Sequence, residues 1–345
     1  MLESRRRAVL RIRNVVVMCC LLGSALLMLA RLVPGEWGVS EDSRRLAYAV
    51  AFFTRTFESH AALGMCAGVC FLMLLRSWAA SAMTAIIPAV VLAPVAWTFV
   101  RPDPQPLSKP LAVLTANLLV GHASVDRVVR LIEIEAPDVI FFQEYTPAKA
   151  EKLIERLGAV YPYRVEGMRE HSFGAAIYSR RPFVGRPELF PHEAIRGHVW
   201  ARSAGEVGIW DPQPRAVVRH GDREIVLQNV HFAPPIRISY LREQRVMTGW
   251  LCEWLRAERR AVVIAGDLNS TDASVNLDDL RAAGTVSVRA AGRGMMGTWP
   301  SSGLAGVVPV GIDHILIRGV RCDRARIGSG IDSDHLPLVA SVGFE

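Results

Sequence analysis

Long apolar stretches dominate the first hundred residues of the chain. The first, residues 14–33, approaches the roughly 20 residues that a bilayer-spanning helix needs. Two more follow at residues 61–75 and 78–100, and the prolines within the last are tolerated in membrane helices. Only two residues separate these stretches, which predicts a tight helical hairpin. We therefore predict a membrane region over residues 1–100 with about three transmembrane helices.

The orientation of this region depends on how many of the stretches cross the bilayer. Five arginines lie just before the first stretch: Arg5, Arg6, Arg7, Arg11 and Arg13. They predict a cytoplasmic amino terminus, so three crossings would give a multi-pass protein of the cell membrane with an extracytoplasmic catalytic domain. If residues 61–75 are re-entrant, that domain faces the cytoplasm. A cleaved signal peptide is the alternative for the first stretch, but no clear small-x-small cleavage site follows it.

The pattern changes after residue 100. Residues 101–110 are rich in proline and predict a semi-rigid linker. From residue 111 onward, short apolar runs alternate with amphipathic segments, as in α/β and mixed sandwich folds. The predicted strands are 111–118, 138–143, 173–179, 216–219, 224–230, 261–265, 312–317 and 336–342. Helices are predicted from Ser124 to about Glu135 and from Ile238 to Arg260, and residues 185–215 predict a variable surface excursion.

Charge and cysteine usage change this picture little. Residues 1–110 carry twelve Lys and Arg against six Asp and Glu, so of the formal net charge of +7 only +1 belongs to residues 111–345. That balance gives no general nucleic-acid footprint. Four of the six cysteines lie within apolar stretches, where they pack as small side chains. Cys252 and Cys322 could pair in an oxidising compartment, although two free thiols are the expected state.

Polar residues suited to phosphate-ester chemistry stand at or near the ends of several predicted strands. They are Asn117, Glu144, His231, Asp267, Asn269, Asp313, Asp334 and His335. A polar residue at the carboxyl end of a buried strand emerges at the rim of a sheet, where ligands bind. Carboxylates, carboxamides and imidazoles can hold a hard divalent cation and hydrolyse a phosphate ester. In isolation, an Asn or Asp after a strand is more often a turn former or a helix cap.

In series, these segments resemble the endonuclease/exonuclease/phosphatase superfamily, which has the fold of DNase I. The order is strand-Asn at Asn117, Gln-Glu at Glu144, x-His at His231, Gly-Asp-x-Asn at 266–269, Thr-Trp-Pro at 298–300, Ile-Asp-His-Ile-Leu at 312–316 and Ser-Asp-His at 333–335. The resemblance covers about residues 111–344. It implies that residues 111–345 form a catalytic domain, an α/β (α+β) four-layer sandwich with two mainly antiparallel sheets packed face to face.

The resemblance also implies a role for each of these residues. Glu144 looks like the principal metal-binding carboxylate, with Asn117 beside it and Asp334 as a further metal-side carboxylate. Oxygen ligands in a partly hydrated site suit Mg²⁺, with Mn²⁺ as the usual substitute. Asp267 matches the carboxylate that orients or deprotonates the attacking water, and Asn269 matches the carboxamide that contacts the phosphoryl oxygens.

The histidines complete this set. Asp313 matches the acid that pairs with His335, whose charged form would stabilise negative charge on the phosphoryl group. His231 would donate a hydrogen bond to the phosphoryl group or protonate the leaving oxygen. Tyrosine stands there in the abasic-site endonuclease branch, so His231 indicates other branches. His314 should point to the opposite face of its strand and is read as structural. The remaining histidines of the soluble region are predicted at the surface: His122, His171, His192, His198 and His220.

Three classes of function compete. The membrane region favours a lipid bilayer as partner and a lipid-linked phosphate or pyrophosphate as substrate, because tethering raises the effective concentration of the site at the bilayer. Membrane-anchored bacterial members of the superfamily are similar in arrangement. An extracytoplasmic nuclease is the alternative, disfavoured because residues 111–345 contain only two lysines, Lys149 and Lys152. A non-catalytic membrane protein on the same scaffold ranks last, since every expected catalytic position is filled.

Overall fold

The computed structural model describes residues 2–40, 43–190 and 213–345. The chain divides into two compact units, Met1–Val100 and Arg101–Glu345. Predictions that fall on residues 191–212, including His192, His198 and most of the surface excursion, lie outside the described residues.

The first unit is helical. Its helices are α1 (Leu2–Ala30), α2 (Ser43–Thr56), α3 (Glu58–Leu74) and α4 (Trp78–Val100), with a short 3-10 turn at Gly35–Val39. Apolar side chains of α1, α3 and α4 pack together: Val16, Cys20, Leu27, Met65, Ile87 and Val91. Gly68 allows α1 and α3 to approach, because a Cβ there would lie 3.0 Å from the Cys20 sulfur.

Two of these helices are long and apolar enough to cross a membrane, Arg6–Ala30 within α1 and Trp78–Val100. The pair α2 and α3 passes the same test only together and is bent by 62°, as in a broken span or a re-entrant loop. The predicted span at residues 61–75 falls largely within α3, and its crossing as a separate helix stays a prediction. The number of crossings therefore also stays a prediction.

The second unit contains two six-stranded sheets. The strands are β1 (Leu111–Asn117), β2 (Val139–Gln143), β3 (Tyr163–Gly167), β4 (Ala175–Ser179), β5 (Glu188–Phe190), β6 (Gln213–His220), β7 (Arg223–His231), β8 (Ala261–Asp267), β9 (Val286–Ser287), β10 (Asp313–Arg318), β11 (Arg321–Ile327) and β12 (Leu338–Gly343). The first sheet has the order β11-β12-β1-β2-β4-β3 and the second β5-β6-β7-β8-β10-β9. Among these described strands, only β1 with β2 and β7 with β8 pair in parallel, so both sheets are mixed and mainly antiparallel.

The two sheets pack face to face. Successive residues of a strand point to opposite faces, so β2 sends Val139 and Phe141 into the core between the sheets and Ile140 and Phe142 toward the helices. Both faces of this strand are covered, which explains its continuous apolar run. Four helices complete the sandwich: α5 (Val125–Glu135), α6 (Pro147–Leu157), α7 (Ile238–Ala257) and α8 (Val275–Ala282). The predicted DNase I-like sandwich is confirmed.

The strands that the sequence pattern missed share one position in the fold. Each strand that the pattern missed, β3, β5, β9 and β11, is an edge strand of its sheet among the described residues. Edge strands carry charged and polar side chains that blunt further pairing, and this obscures the apolar period. The sequence of β11, Arg-Cys-Asp-Arg-Ala-Arg-Ile, shows this directly. Helices α6 and α8 were also not anticipated.

Two further predictions concern His220 and the cysteines. The prediction of a surface position for His220 is wrong: the residue ends β6, is buried, and its Nε2 lies 2.7 Å from the Lys109 carbonyl. Cys252 and Cys322 are both free, as expected, although Cys322 is only half-buried.

Candidate active site

Strand register brings the predicted site residues to one end of the sandwich. In the second sheet, His231 at the end of β7 lies beside Asp267 at the end of β8, which lies beside Asp313 at the start of β10. In the first sheet, Asn117 ends β1 and Glu144 directly follows β2, the strand paired with it. The sequence separates these residues widely, but parallel neighbours end at the same edge of a sheet.

Asp267 stands at the centre of the site. Its Oδ2 accepts a hydrogen bond from the Asn117 carboxamide at 3.1 Å, and the same Nδ2 lies 3.3 Å from Glu144 Oε1. Asn117 therefore joins carboxylates that belong to different sheets. The other Asp267 oxygen accepts from the Asn269 backbone N–H at 2.8 Å. Buried carboxylates need partners of this kind, since an unpaired buried charge is strongly unfavourable.

Two histidines face the same Asp267 oxygen. His231 Nε2 lies 3.6 Å and His335 Nε2 lies 3.7 Å from Asp267 Oδ2. The other ring nitrogen of His335, Nδ1, lies 2.8 Å from Asp313 Oδ2. Asp313 thereby fixes the ring of His335 and leaves Nε2 directed at the centre of the site.

The histidines have opposite protonation preferences. Burial lowers the pKa of His231 to about 4, and the nearby positive charge of His335 lowers it further in the same direction. Burial also lowers the pKa of His335, but the charges of Asp313 and Asp267 outweigh it and raise that pKa to about 10. At neutral pH the site thus contains a neutral His231 and a positively charged His335.

The carboxylates differ in the same way. Burial raises the pKa of Asp267 to about 7, although the charge of His335 opposes the rise. Burial also raises the pKa of Asp313, but the His335 charge and hydrogen bond outweigh it and hold that pKa below its ordinary value. A carboxylate with a pKa near neutrality is matched to proton transfer, whereas Asp313 remains ionised as the partner of His335.

The remaining predicted residues flank this centre. Asp334 precedes His335, and its Oδ2 accepts a hydrogen bond from the Trp299 indole at 3.0 Å. Asn269 donates from its carboxamide to the Phe232 carbonyl at 2.9 Å, which uses one of its two amide hydrogens. The hydroxyl of Thr298, the first residue of the Thr-Trp-Pro segment, accepts hydrogen bonds from the backbone N–H groups of Ile312 and Asp313 at 3.1 Å and 3.2 Å.

Asn117, Glu144 and Asp334, the residues predicted from the sequence, would offer oxygen ligands to a divalent cation. Asp334 Oδ1 is buried and lacks a hydrogen-bond partner within the described structure, as a ligand atom would. Asp267, Asp313 and His335 have their possible ligand atoms within 4.8 Å of one another. A metal in that group would have to displace a ring proton of His335, because the charged imidazole has no lone pair to offer. The oxygen set fits Mg²⁺ or Mn²⁺.

The sequence pattern missed side chains that hold the site in shape. Lys149 on α6 is buried, and its Nζ donates to the carbonyls of Leu118 and Leu119 at 2.6 Å and 2.5 Å, just after Asn117. Burial lowers the pKa of Lys149 to about 8, against the opposing effect of Glu144. The ring of Phe173 lies against His231, with centroids 5.2 Å apart. A lysine in the first turn of an amphipathic helix gives no signal that distinguishes it from a solvated one.

Comparison with known proteins identifies the family and the fold of the chain. The family model described as "Endonuclease/Exonuclease/phosphatase family" matches residues 114–335. No curated protein sequence matches the chain. Similar solved structures include an endonuclease/exonuclease/phosphatase from Bacteroides vulgatus, with 15% identity and a TM-score of 0.55 over 69% of this chain and all (100%) of that one.

Two further structures share the fold. The endonuclease/exonuclease/phosphatase from Beutenbergia cavernae has 19% identity and a TM-score of 0.54, covering 68% of this chain and 72% of that one. D. rerio TDP2, solved in complex with a single-strand DNA product, has 19% identity and a TM-score of 0.52, covering 68% of this chain and 99% of that one. From the matched residues and the shared fold we conclude that this chain belongs to the endonuclease/exonuclease/phosphatase family, whose members are hydrolases of phosphoester bonds.

Proposed function

We propose that this protein is a membrane-anchored, divalent-metal-dependent phosphoesterase that hydrolyses a phosphate ester or pyrophosphate by in-line attack of water. The observation that carries the proposal is the single oxygen, Asp267 Oδ2, contacted by Asn117 and faced by both His231 and His335. A proton acceptor with a pKa near neutrality therefore stands beside one neutral and one charged imidazole. Base, hydrogen-bond donor and positive charge are what water attack on a phosphate requires.

Each side chain then has a role. Glu144, Asn117 and Asp334 would hold the cation, which when bound supplies Lewis-acid activation of the phosphoryl oxygen. Asp267 accepts the proton of the attacking water. His335, kept charged by Asp313, stabilises the negative charge that builds on the phosphoryl group.

His231 and Asn269 complete the binding of the phosphoryl group. Because the pKa of His231 is lowered to about 4, we assign it hydrogen-bond donation rather than delivery of a proton to the leaving oxygen. The second amide hydrogen of Asn269 remains for a phosphoryl oxygen, since the Phe232 carbonyl uses the first.

The apolar helices support action at a membrane surface. With α1 and α4 long and apolar enough to span, a lipid-linked phosphate or other membrane-surface substrate is the first candidate. We further propose a multi-pass arrangement of the cell membrane with the catalytic unit outside the cytoplasm. A reporter enzyme active only outside the cytoplasm, fused after Glu345, should be active; activity of a cytoplasm-specific reporter there would reverse the orientation.

A nuclease is the second candidate. It is suggested by the single-strand DNA product bound to D. rerio TDP2, a protein of similar fold. The net charge of +1 over residues 111–345 argues against a polyanion groove. Raising the salt concentration should weaken turnover of DNA steeply and turnover of a lipid phosphate little, which separates the two candidates.

The proposal is tested with the full chain and Mg²⁺ on a generic phosphodiester and a pyrophosphate. Glu144→Gln keeps the shape of the side chain but removes its charge, and it should lower kcat by at least about 100-fold. His335→Ala should do the same. Glu151→Gln, on the exposed side of α6, is the matched control and should retain activity. Full activity of Glu144→Gln or His335→Ala would refute the assignment.

A further inference from the structure

Large apolar side chains are exposed on two loops that border the active site. Ile236 is 76% exposed in the loop after His231, and Leu304 and Val307 are 94% and 77% exposed in the loop after Trp299. These are the most exposed large apolar side chains in the described part of the catalytic unit. We call Ile236, Leu304 and Val307 the apolar rim. Large apolar side chains that are this exposed are candidates for contact with another apolar phase.

Both loops are fastened to residues of the site. In the first, the Phe232 N–H donates to the Asp267 carbonyl at 2.8 Å, and the Phe232 carbonyl accepts from Asn269. In the second, the Ser301 N–H donates to the Asp334 carbonyl at 2.8 Å. The second loop also closes on itself, because Trp299 and Val310 pair through their backbones. The first residues of both loops are therefore fixed to residues of the site.

The charges near the apolar rim distinguish between a nucleic acid and a bilayer as its partner. Residues 294–312, which include the whole second loop, contain no charged residue. A nucleic-acid surface would carry Lys and Arg to neutralise phosphates. A surface that enters a bilayer carries apolar side chains with a basic residue at headgroup level. Arg237, exposed directly after Ile236, fits the second pattern.

The linker packs along strand β11 of the catalytic unit. The Leu107 N–H donates to Asp323 near the start of β11, and Arg101 donates to the Gly292 carbonyl at 2.7 Å. Gly292 lies beside Ala325, further along β11 toward the end that carries the site. From Leu107 back to Arg101 the linker thus runs toward the active-site end.

We propose that Ile236, Leu304 and Val307 insert into the surface of the bilayer in which the chain is anchored. The phosphate of a lipid substrate then reaches Asp267 while its hydrocarbon remains in the bilayer. This inference rests on the proposed function, because it names the substrate of the same site, a phosphate-bearing lipid presented by the membrane. The occupant of the rim is the bilayer itself.

Insertion is tested first without any measurement of activity. The full chain is reconstituted in vesicles containing brominated lipid, and the added fluorescence of Leu304→Trp is compared with that of Val286→Trp. Val286 is 56% exposed but pairs with Ile317, roughly 13 Å along β10 from Asp313. We expect brominated lipid to quench the fluorescence that Leu304→Trp adds. The fluorescence that Val286→Trp adds should remain unquenched. Equal behaviour of the two increments would overturn the inference, whatever the enzyme does.

Activity provides the second test. For a phosphate ester held in the bilayer, Leu304→Ser with Val307→Ser should raise KM about tenfold with kcat unchanged, because two apolar side chains no longer enter the lipid. The same protein should hydrolyse a water-soluble phosphate ester normally, and Val286→Ser should change neither substrate. Unaltered KM for the bilayer-held ester would refute the inference. If the unmodified chain hydrolyses neither ester although Leu304→Trp is quenched, the proposed function fails and the insertion stands.

Discussion

Three non-glycine residues of the site have backbone conformations that side chains disfavour. Leu119, Glu144 and Asn269 have φ values of 44°, 54° and 45°. Each costs of order 1–2 kcal/mol and persists only where neighbouring groups enforce it. Here hydrogen bonds do so: Val120 N–H donates to Glu144 Oε2 at 2.6 Å, and Asn269 N–H donates to Asp267 Oδ1. The strained residues are those that position the carboxylates.

We predict that the two site histidines titrate at opposite extremes. In the metal-free protein, His335 should keep its second ring proton until about pH 10, and His231 should remain neutral down to about pH 4. Ring-nitrogen NMR spectra recorded in the presence of a chelator would show this. Two histidines that both titrate near pH 6.5 would contradict the assigned pairing with Asp313.

The same shifts set the sign of the pH dependence of stability. The pKa of His335 is higher in the folded state, so its contribution is complete below about pH 6.5 and is lost as the pH rises through about 10. The pKa of His231 is lower in the folded state, so its contribution to stability is lost as the pH falls from about 6.5 toward about 4, whereas the raised pKa of Asp267 acts in the opposite direction. Replacing His231 by Gln should make the protein more resistant to acid over this range than the unmodified chain and leave the alkaline loss unchanged, as measured by denaturant unfolding.

We predict that Lys149 positions the loop after Asn117. Lys149→Met leaves the carbonyls of Leu118 and Leu119 without their donor and should lower the free energy of unfolding by about 1–3 kcal/mol. Because Asn117 shifts with this loop, kcat should fall about tenfold. Lys152→Met, on the exposed side of the same helix, is the matched control. Equal effects of the two substitutions would show that burial of Lys149 is irrelevant.

Among the strands and loops, the parallel pair β7 and β8 is the most constrained beneath the site. Val230 and Gly266 are register partners one position before His231 and Asp267. Gly266 has a φ of 146°, and a Cβ there would lie 1.8 Å from the Val230 carbonyl oxygen. The glycine of Gly-Asp-x-Asn is therefore required for close approach of the two strands.

Gly266→Ala should separate these strands and lower the free energy of unfolding by about 2–4 kcal/mol. Gly121→Ala is the control: its φ is also positive, at 87°, but nothing lies within 4 Å of the added Cβ. Only backbone strain of about 1 kcal/mol is expected there. Thermal unfolding of both variants would measure the difference. Similar stability of the two would show that contact with Val230 does not matter.

A polar connection between the sheets lies under the same strands. Gln143 donates to Asn229 at 2.8 Å, and Asn229 donates across the sandwich to the carbonyls of Phe142 and Ala176 at 2.9 Å and 2.8 Å. The pattern marked Gln143 and Asn229 only as neighbours of Glu144 and His231. Their partners lie on the other sheet, so local sequence could not reveal them.

For the chain as a whole, the division at residue 100 separates the long apolar helices from every predicted site residue. We predict that residues 101–345 alone hydrolyse a water-soluble phosphate ester within about twofold of the full chain, because every predicted site residue belongs to that unit. Turnover of a bilayer-held ester should fall by about 100-fold or more once the anchor is removed, since tethering no longer concentrates the site at the lipid. If the full chain and residues 101–345 turn over both substrates at equal rates, the anchor has no role in the mechanism.

The apolar runs of the chain predicted the buried strands. Strands such as β2 and β8 are covered on both faces, so nearly all of their residues are apolar. The residue types at the ends of these strands also predicted phosphate-ester chemistry, because carboxylates, carboxamides and imidazoles recur there in series. The edge strands, the burial of Lys149 and His220, and the choice of carbonyl partners depended on neighbours distant in the chain. The opposite protonation of His231 and His335 likewise arises in space, because electrostatic interactions depend on separation and burial, which only the packed sandwich defines.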